Sequence, residues 1–241
     1  MLGSNAVGWL FCSIPESPIY DGQIFIYITP EYRRKGMGTE IYLQAVNSFI
    51  TIGCNWWTSY PASDITDMFV KAVGFDQIST NLYMEHDSQL FSASEEGIRM
   101  CRPEDYPTAM EIWLNEYAEM HRRIGLPYEN RVLTEEERKE ERDDFLNNIN
   151  RSFVIEQNTK IVGFGTLFDD NSGIGSIAID RNYAGRGYGT RLSAFLTNES
   201  IRRGCKTPCL YCELGNNDAL HVYQKIGYHE IKRETVAVKR K

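Results

Sequence analysis

Long apolar runs are missing from this sequence: no stretch reaches the roughly eighteen uninterrupted apolar residues that a membrane-spanning helix needs. The N-terminus also lacks the basic, apolar and small-residue succession of a secretory leader. The expectation is therefore a cytoplasmic protein with no membrane partner. Basic charge is scarce as well. Lys and Arg number 26 against 33 Asp and Glu, and the net charge of −7 argues against a nucleic-acid partner. The six cysteines, at 12, 54, 101, 205, 209 and 212, include one C-x-x-C pair, Cys209 and Cys212. No second pair or nearby histidine completes a zinc set, so no metal is expected and the cysteines read as reduced residues in or beside strands.

The scarcity of positive charge has one exception. Residues 1–90 hold only four Lys or Arg, and three of them are consecutive: Arg33, Arg34 and Lys35. They lie inside a glycine signature, Pro30-Glu31-Tyr32-Arg33-Arg34-Lys35-Gly36-Met37-Gly38-Thr39. The signature returns about 150 residues later as Arg181-Asn182-Tyr183-Ala184-Gly185-Arg186-Gly187-Tyr188-Gly189-Thr190. An apolar β-like run enters each copy, Ile24–Ile28 in one case and Ile174–Ile179 in the other, and an amphipathic helical pattern leaves it. Glycines between a strand and a helix permit a tight turn, and the N–H groups they expose sit at the positive end of the helix dipole. The pattern predicts a phosphate cradle, twice.

With 241 residues there is room for two modest domains, and the repeat favours that division. In the first half the periodicities predict strands at 7–13 and 23–28, a helix over 36–52 and a short strand near 54–58. A helix over 63–73 and strands near 75–79 and 81–85 follow. Residues 85–96 read as a linker. The second half predicts a strand from Ile98, a helix from Pro103 to about His121, and a charged helix opened by the capping box of Thr134 and Glu137. Strands at 152–156, 160–168 and 174–179 lead into the second loop and a helix of about fifteen residues. A strand at 208–213, a helix at 217–225 and strands near 228–232 and 234–239 complete it. From Val162 onward the second half repeats the first element for element. The first copy lacks what the second has before residue 160: a strand, two helices and a strand.

These residues resemble the GNAT acyltransferase superfamily, whose acetyl-CoA loop follows Arg/Gln-x-x-Gly-x-Gly/Ala between a strand and a helix. Arg33, Gly36 and Gly38 match in full; in the second copy Ala184 stands where Arg or Gln is usual, followed by Gly187 and Gly189. A further family pattern, N-x-x-A-x-x-x-Y-x-x-x-G-F/Y, is present as Asn216, Ala219, Tyr223, Gly227 and Tyr228. Its counterpart in the first copy keeps only Gly74 and Phe75, with Val70 at the tyrosine position and Phe69 beside it. The resemblance covers most of 97–241 and, more loosely, 5–86. It implies an α/β fold of two GNAT-like units, each a mixed, mostly antiparallel sheet flanked by helices. The expected units are a shortened one at 1–88 and a complete one at 97–241, packed together.

The resemblance implies an acetyl-CoA-dependent N-acetyltransferase that moves the acetyl group to an amine of a small molecule or peptide by direct attack. Acetyl-CoA would be held by Ile177, Ala178 and Ile179, by Ala184, Gly185, Arg186, Gly187, Tyr188, Gly189 and Thr190, and by Asn216. A second site would use Arg33, Arg34, Lys35, Gly36 and Gly38. In the second loop Arg186, flanked by Arg181 and Arg191, supplies the positive charge that phosphates favour. An attacking ammonium must lose a proton and a leaving thiolate gains from a donor. Tyr223 is the candidate donor and Glu213, at the end of strand 208–213, the candidate base, with His121 as a further candidate near the acceptor. Gly173 stands where histone-type members carry a base. The alternative is a non-catalytic acyl-CoA-binding or regulatory module. A Rossmann-type dinucleotide site fails because neither loop completes G-x-G-x-x-G.

Overall fold

The computed structural model describes residues 6–18, 20–126 and 133–240. Along the chain run β1 (Gly8–Ser13), β2 (Gly22–Ile28), α1 (Met37–Ile52), β3 (Trp56–Pro61), α2 (Asp64–Ala72) and β4 (Gln77–His86). There follow β5 (Ile98–Met100), α3 (Tyr106–Ile124), α4 (Glu135–Asn147), β6 (Ser152–Gln157), β7 (Lys160–Leu167) and β8 (Ile174–Ile179). Last come α5 (Tyr188–Arg202), β9 (Cys209–Glu213), α6 (Asn217–Lys225) and β10 (Tyr228–Lys239). The fold is mixed α/β. No helix among the described residues is long and apolar enough to cross a membrane.

The chain divides into two compact units, Met1–Thr80 with Arg233–Lys241, and Asn81–Lys232. This differs from the expected division at 88 and 97, and the reason is local. The strands expected at 75–79 and 81–85 are one strand, β4, and those at 228–232 and 234–239 are one strand, β10. A gap of a single residue, Thr80 or Arg233, cannot form the two-residue turn that the shortest common hairpins use, so each strand runs straight on.

The first unit, taken alone, is a sheet in the order β1-β2-β3-β10. The end of β10 lies antiparallel to β3, from Glu234 opposite Pro61 to Lys239 opposite Trp56. Helices α1 and α2 cover one face. Tyr42, Val46 and Phe49 fall on one stripe of α1 at i, i+4 and i+7, and they pack with Ile24, Trp56, Val70 and Ala237. Helix α1 stops at Gly53, whose φ of +79° is the left-handed cap glycine supplies. Ser63 and Thr66 form the capping box that starts α2. No described residue before β1 forms a counterpart of β5, α3, α4 or β6.

The second unit contains the antiparallel sheet β5-β6-β7-β8, with the end of β4 lying antiparallel to β9. One face of the sheet buries Ile155, Val162 and Leu167 with Leu192 and Leu196 of α5. The other face buries Val154 and Phe164 with Ala109 of α3 and Phe145 of α4. Thr134 and Glu137 form both halves of the expected capping box, and Phe145 is the buried residue of an otherwise charged α4.

Candidate functional site

Strands β8 and β9 run parallel but touch at a single bridge, Gly173 with Cys209. A Cβ on Gly173 would stand 1.8 Å from the Cys209 carbonyl oxygen, so only glycine lets the strands meet there. A side-chain base at 173 is sterically closed. Past this bridge no pairing between the two strands continues among the described residues, and the carboxyl end of β8 is left with a free edge. Openings outside the carboxyl ends of parallel strands are where α/β sheets place their ligands.

The cleft at this opening has a volume of about 650 Å³. One wall is Ile177, Ala178 and Ile179 of β8. A second is the glycine loop, through Ala184, Gly185, Gly187 and Tyr188 to Thr190. Asn216 and Tyr223 of the α6 segment and Glu116, Tyr117 and Met120 of α3 close the rest. Gly185 and Gly187 have φ of +73° and +84°, and space is open where a Cβ would stand on either. The loop thus needs glycine for its turn and keeps its outer surface clear for a ligand. Gly187 caps α5, so the N–H groups of Tyr188, Gly189 and Thr190 have no intrahelical acceptor.

The arginines expected around this loop have different partners. Arg181 forms an ion pair with Glu119 at 2.7 Å, and its backbone N–H donates to Glu116 at 3.0 Å. The guanidinium groups of Arg122 and Arg181 hold the Glu119 carboxyl down at about 2, so this clamp between α3 and the loop persists at ordinary pH. Arg191 donates to the main-chain carbonyls of Ser94 and Glu96. Arg186 lies outside the cleft wall, over the Tyr183 ring at 5.3 Å, with Lys160 5.2 Å from the same ring.

Tyr223 is buried on the cleft wall, and burial, reinforced by Cys212 and Tyr228, pushes its phenol well above the usual range. Its hydroxyl makes no hydrogen bond to another described residue, and its ring meets Tyr228 edge-on at 6.1 Å. The group is therefore a proton-bearing donor facing the cleft. Glu213 is not on the cleft wall. Its Oε2 lies 3.4 Å from Nε2 of His121, which the structure places in the last turn of α3. His121 is packed against Tyr117, ring to ring at 4.3 Å, and Tyr117 stacks on Trp113. The pair adjoins the wall through both partners: His121 packs on Tyr117, and the Glu213 carbonyl accepts from the Asn216 backbone N–H at 3.0 Å. Of the segment that follows α3, residues 127–132 lie outside the described residues.

Sequence reasoning missed the α3 wall. The signal was present as a stripe at i, i+3, i+4 and i+7 through Trp113, Glu116, Tyr117 and Met120. Cys209 and Cys212, three apart on β9, point to opposite faces of the strand, and burial pushes the Cys212 thiol up to about 12.

The first loop repeats the backbone but not the opening. Arg34 and Gly36 have φ of +61° and +83°, matching Gly185 and Gly187. Here, however, a Cβ on Gly38 would stand 3.3 Å from the Phe69 ring; the same atom on Gly189 would meet only Ile179, at 3.7 Å. Arg33 donates from Nε to the Ile28 carbonyl at 2.7 Å, and Lys35 lies over the Tyr32 ring at 5.1 Å. Val70, in the place of Tyr223, is fully buried and carries no hydroxyl.

No curated protein matches the chain in sequence. Solved structures share its fold across nearly the whole length. A GCN5-related N-acetyltransferase from Sphaerobacter thermophilus aligns with a TM-score of 0.64 at 17% identity, over 95% of this chain and 76% of that one. An acetyltransferase of the GNAT family from Colwellia psychrerythraea gives 0.56 at 16%, over 100% and 84%. A tandem GNAT protein from the clavulanic acid biosynthesis pathway gives 0.55 at 14%, over 99% and 80%. The sequence profile of the acetyltransferase (GNAT) family matches residues 110–228, which contain the cleft, its glycine loop and Tyr223. Residues 110–228 thus carry the sequence signature of the acetyltransferase (GNAT) family.

Proposed function

We propose that the chain is an acetyl-CoA-dependent N-acetyltransferase whose chemistry lies in the second unit, acting on an amine of a small molecule or peptide. The observation that carries this reading is a single cleft with a glycine-capped helix start at one wall and a buried, proton-bearing tyrosine on another. The residues fit acetyl-CoA. The open outer surface at Gly185 and Gly187 and the unpaired N–H groups of Tyr188, Gly189 and Thr190 suit a pyrophosphate. The free edge of β8 at Ile177–Ile179 offers main-chain donors and acceptors to an amide-bearing arm, and Asn216 stands at the far wall. Bound there, acetyl-CoA supplies an acyl group already activated as a thioester.

Tyr223 keeps its proton at every ordinary pH and donates a hydrogen bond where a thiolate departs. Glu213 and His121, side by side and adjoining the wall, take up the proton that the acceptor ammonium must lose. The α3 clamp of Glu116 and Glu119 on Arg181 fixes the loop relative to the helix that forms the opposite wall. The test is thiol release from acetyl-CoA with a panel of amines, together with calorimetric binding of CoA. Binding at one site per chain and amine-dependent release are expected. CoA binding with no release from any amine in the panel would make this a binding module instead.

A further inference from the structure

Alternation along β4 and β9 sends neighbouring side chains to opposite faces of their ladder. Leu82, Met84, Leu210 and Cys212 are buried in the core with Tyr223. The residues between and beside them therefore share the other face, where Asn81 stands directly opposite Glu213 and Tyr83 directly opposite Tyr211. On this face His121 of α3 meets Glu213.

The first of these pairs sets two oxygen acceptors side by side, since facing residues of an antiparallel ladder have Cβ atoms about 4.5–5.5 Å apart. Oδ1 of Asn81 is buried and accepts no hydrogen bond from another described residue; nor does Oε2 of Glu213, although Nε2 of His121 lies 3.4 Å away. Buried acceptors without donors are costly, so two of them kept together suit a donor that arrives from outside. An ammonium brings three N–H donors and the charge that a carboxylate favours. The second pair is aromatic. The Tyr83 and Tyr211 rings lie 5.2 Å apart, Phe168 meets Tyr211 edge-on at 6.5 Å, and Tyr211 is 45% exposed. Tyr211 stands two residues, about 7 Å, from Glu213 along the same face of β9. Lys232 places its own ammonium 5.0 Å from the Tyr83 ring centre, and the Tyr83 hydroxyl faces Cys209 and Glu85.

We propose that Asn81 and Glu213 seat the ammonium of the acceptor while Tyr211, backed by Tyr83 and Phe168, receives an aromatic ring carried on a short arm, so that the acceptor is an arylalkylamine. This rests on the acetyl transfer proposed above and names its substrate class. Ring on ring adds attraction beyond the area covered. A cation already stands over Tyr83, so the charged end of an incoming amine is drawn to Glu213 and a second charge on its far end is disfavoured. The seat adjoins the cleft that suits acetyl-CoA, because His121 packs on Tyr117 of the cleft wall and the Glu213 carbonyl holds the Asn216 N–H.

Calorimetry of the full chain saturated with CoA, titrated with 2-phenylethylamine, butylamine and spermidine, tests the proposal without relying on turnover. The arylalkylamine should bind most tightly. Its preference over butylamine should fall about 10-fold in Tyr211→Ala and survive in Tyr211→Phe. Asn81→Leu should instead weaken both monoamines together, by about 5–10-fold, because it removes an acceptor that every ammonium uses. Circular dichroism and CoA affinity check that each variant stays folded. No amine bound, spermidine bound more tightly than 2-phenylethylamine, or a preference indifferent to Tyr211 overturns the proposal. Thiol release measured beside binding separates it from the reading on which it rests. Selective binding with no release leaves the seat standing and removes acetyl transfer; release from other amines with no preference for the arylalkylamine does the reverse.

Discussion

The first unit closes its glycine loop against its own Phe69 and turns Arg33 back onto the Ile28 carbonyl; the second leaves the space above Gly189 open and walls it with Tyr223. The backbone of the two loops is nearly the same, down to the left-handed residues at 34 and 36 and at 185 and 187. A loop conformation alone therefore does not make a ligand site. What differs is the residue behind it: Phe69 and Val70 in one helix, Val222 and Tyr223 in the other. The unit with the more basic loop has spent that charge on its own carbonyl and rings.

The largest effect expected from this comparison concerns turnover. Tyr223→Phe removes the donor while keeping the ring, and should lower amine-dependent thiol release by about 10²–10⁴-fold with CoA binding intact. Val70→Tyr restores a hydroxyl in the first unit and should add no activity, since Phe69 still fills the space beside it. Unchanged turnover in Tyr223→Phe would remove that residue from the chemistry.

Next in size is a difference in packing. Phe164→Ala opens a cavity beneath two helices and should cost about 3–5 kcal/mol in urea unfolding. Trp9→Ala, at the matching register position, where Trp9 faces Tyr27 as Phe164 faces Ala178, should cost less than about 1 kcal/mol because Trp9 is 55% exposed. Equal costs would mean that Trp9 is held as firmly as a core residue, against its exposure.

A smaller contrast separates the loops. Gly187→Val forces a branched side chain into a left-handed conformation that costs about 1–3 kcal/mol, and it obstructs the clear outer surface. CoA affinity measured by calorimetry should fall by about 10–100-fold. Gly36→Val should leave CoA affinity unchanged, with one site per chain in both proteins. A second site lost in Gly36→Val would show that the first loop also binds.

Much of this was legible in the residues, for stated reasons. Glycine spacing marks backbone geometry directly, so both loops and their flanking strands and helices were readable, as was the capping box at Thr134; the one at Ser63, closed by Thr66 rather than Glu or Gln, was not. Strand connectivity was less so. A period of two runs identically through one long strand or a hairpin's two arms, and nothing but the missing turn at Thr80 and Arg233 distinguishes them. Charge partners were not readable at all. Arg181 and Arg191 flank the loop in sequence, but one is held by α3 and the other by carbonyls at Ser94 and Glu96. Glu213 read as a strand-end carboxylate, and only the fold brings His121 within 3.4 Å of it.

The smallest expected effect is a slope in stability against pH, and it separates the units again. In the second unit Asp105 accepts from Arg99 at 2.6 Å and from the Arg102 backbone N–H at 2.7 Å, bonds that hold its carboxyl below the usual range. Arg99 reaches on to Glu156. Arg99, Asp105 and Glu156 sit on β5, just before α3 and on β6, elements with no counterpart among the described residues of the first unit. Because the folded state keeps this carboxyl ionised to lower pH than the unfolded chain does, the stability it contributes is present above an unfolded value near ~3.9. It falls away as pH drops through the folded value. Hydrogen exchange across acid pH should therefore show the second unit loosening, and Asp105→Asn should flatten that slope while leaving the first unit's own response, set by Asp76 beside Lys239 and the Arg240 N–H, as it is. A slope in the second unit unchanged by Asp105→Asn would place its acid response elsewhere.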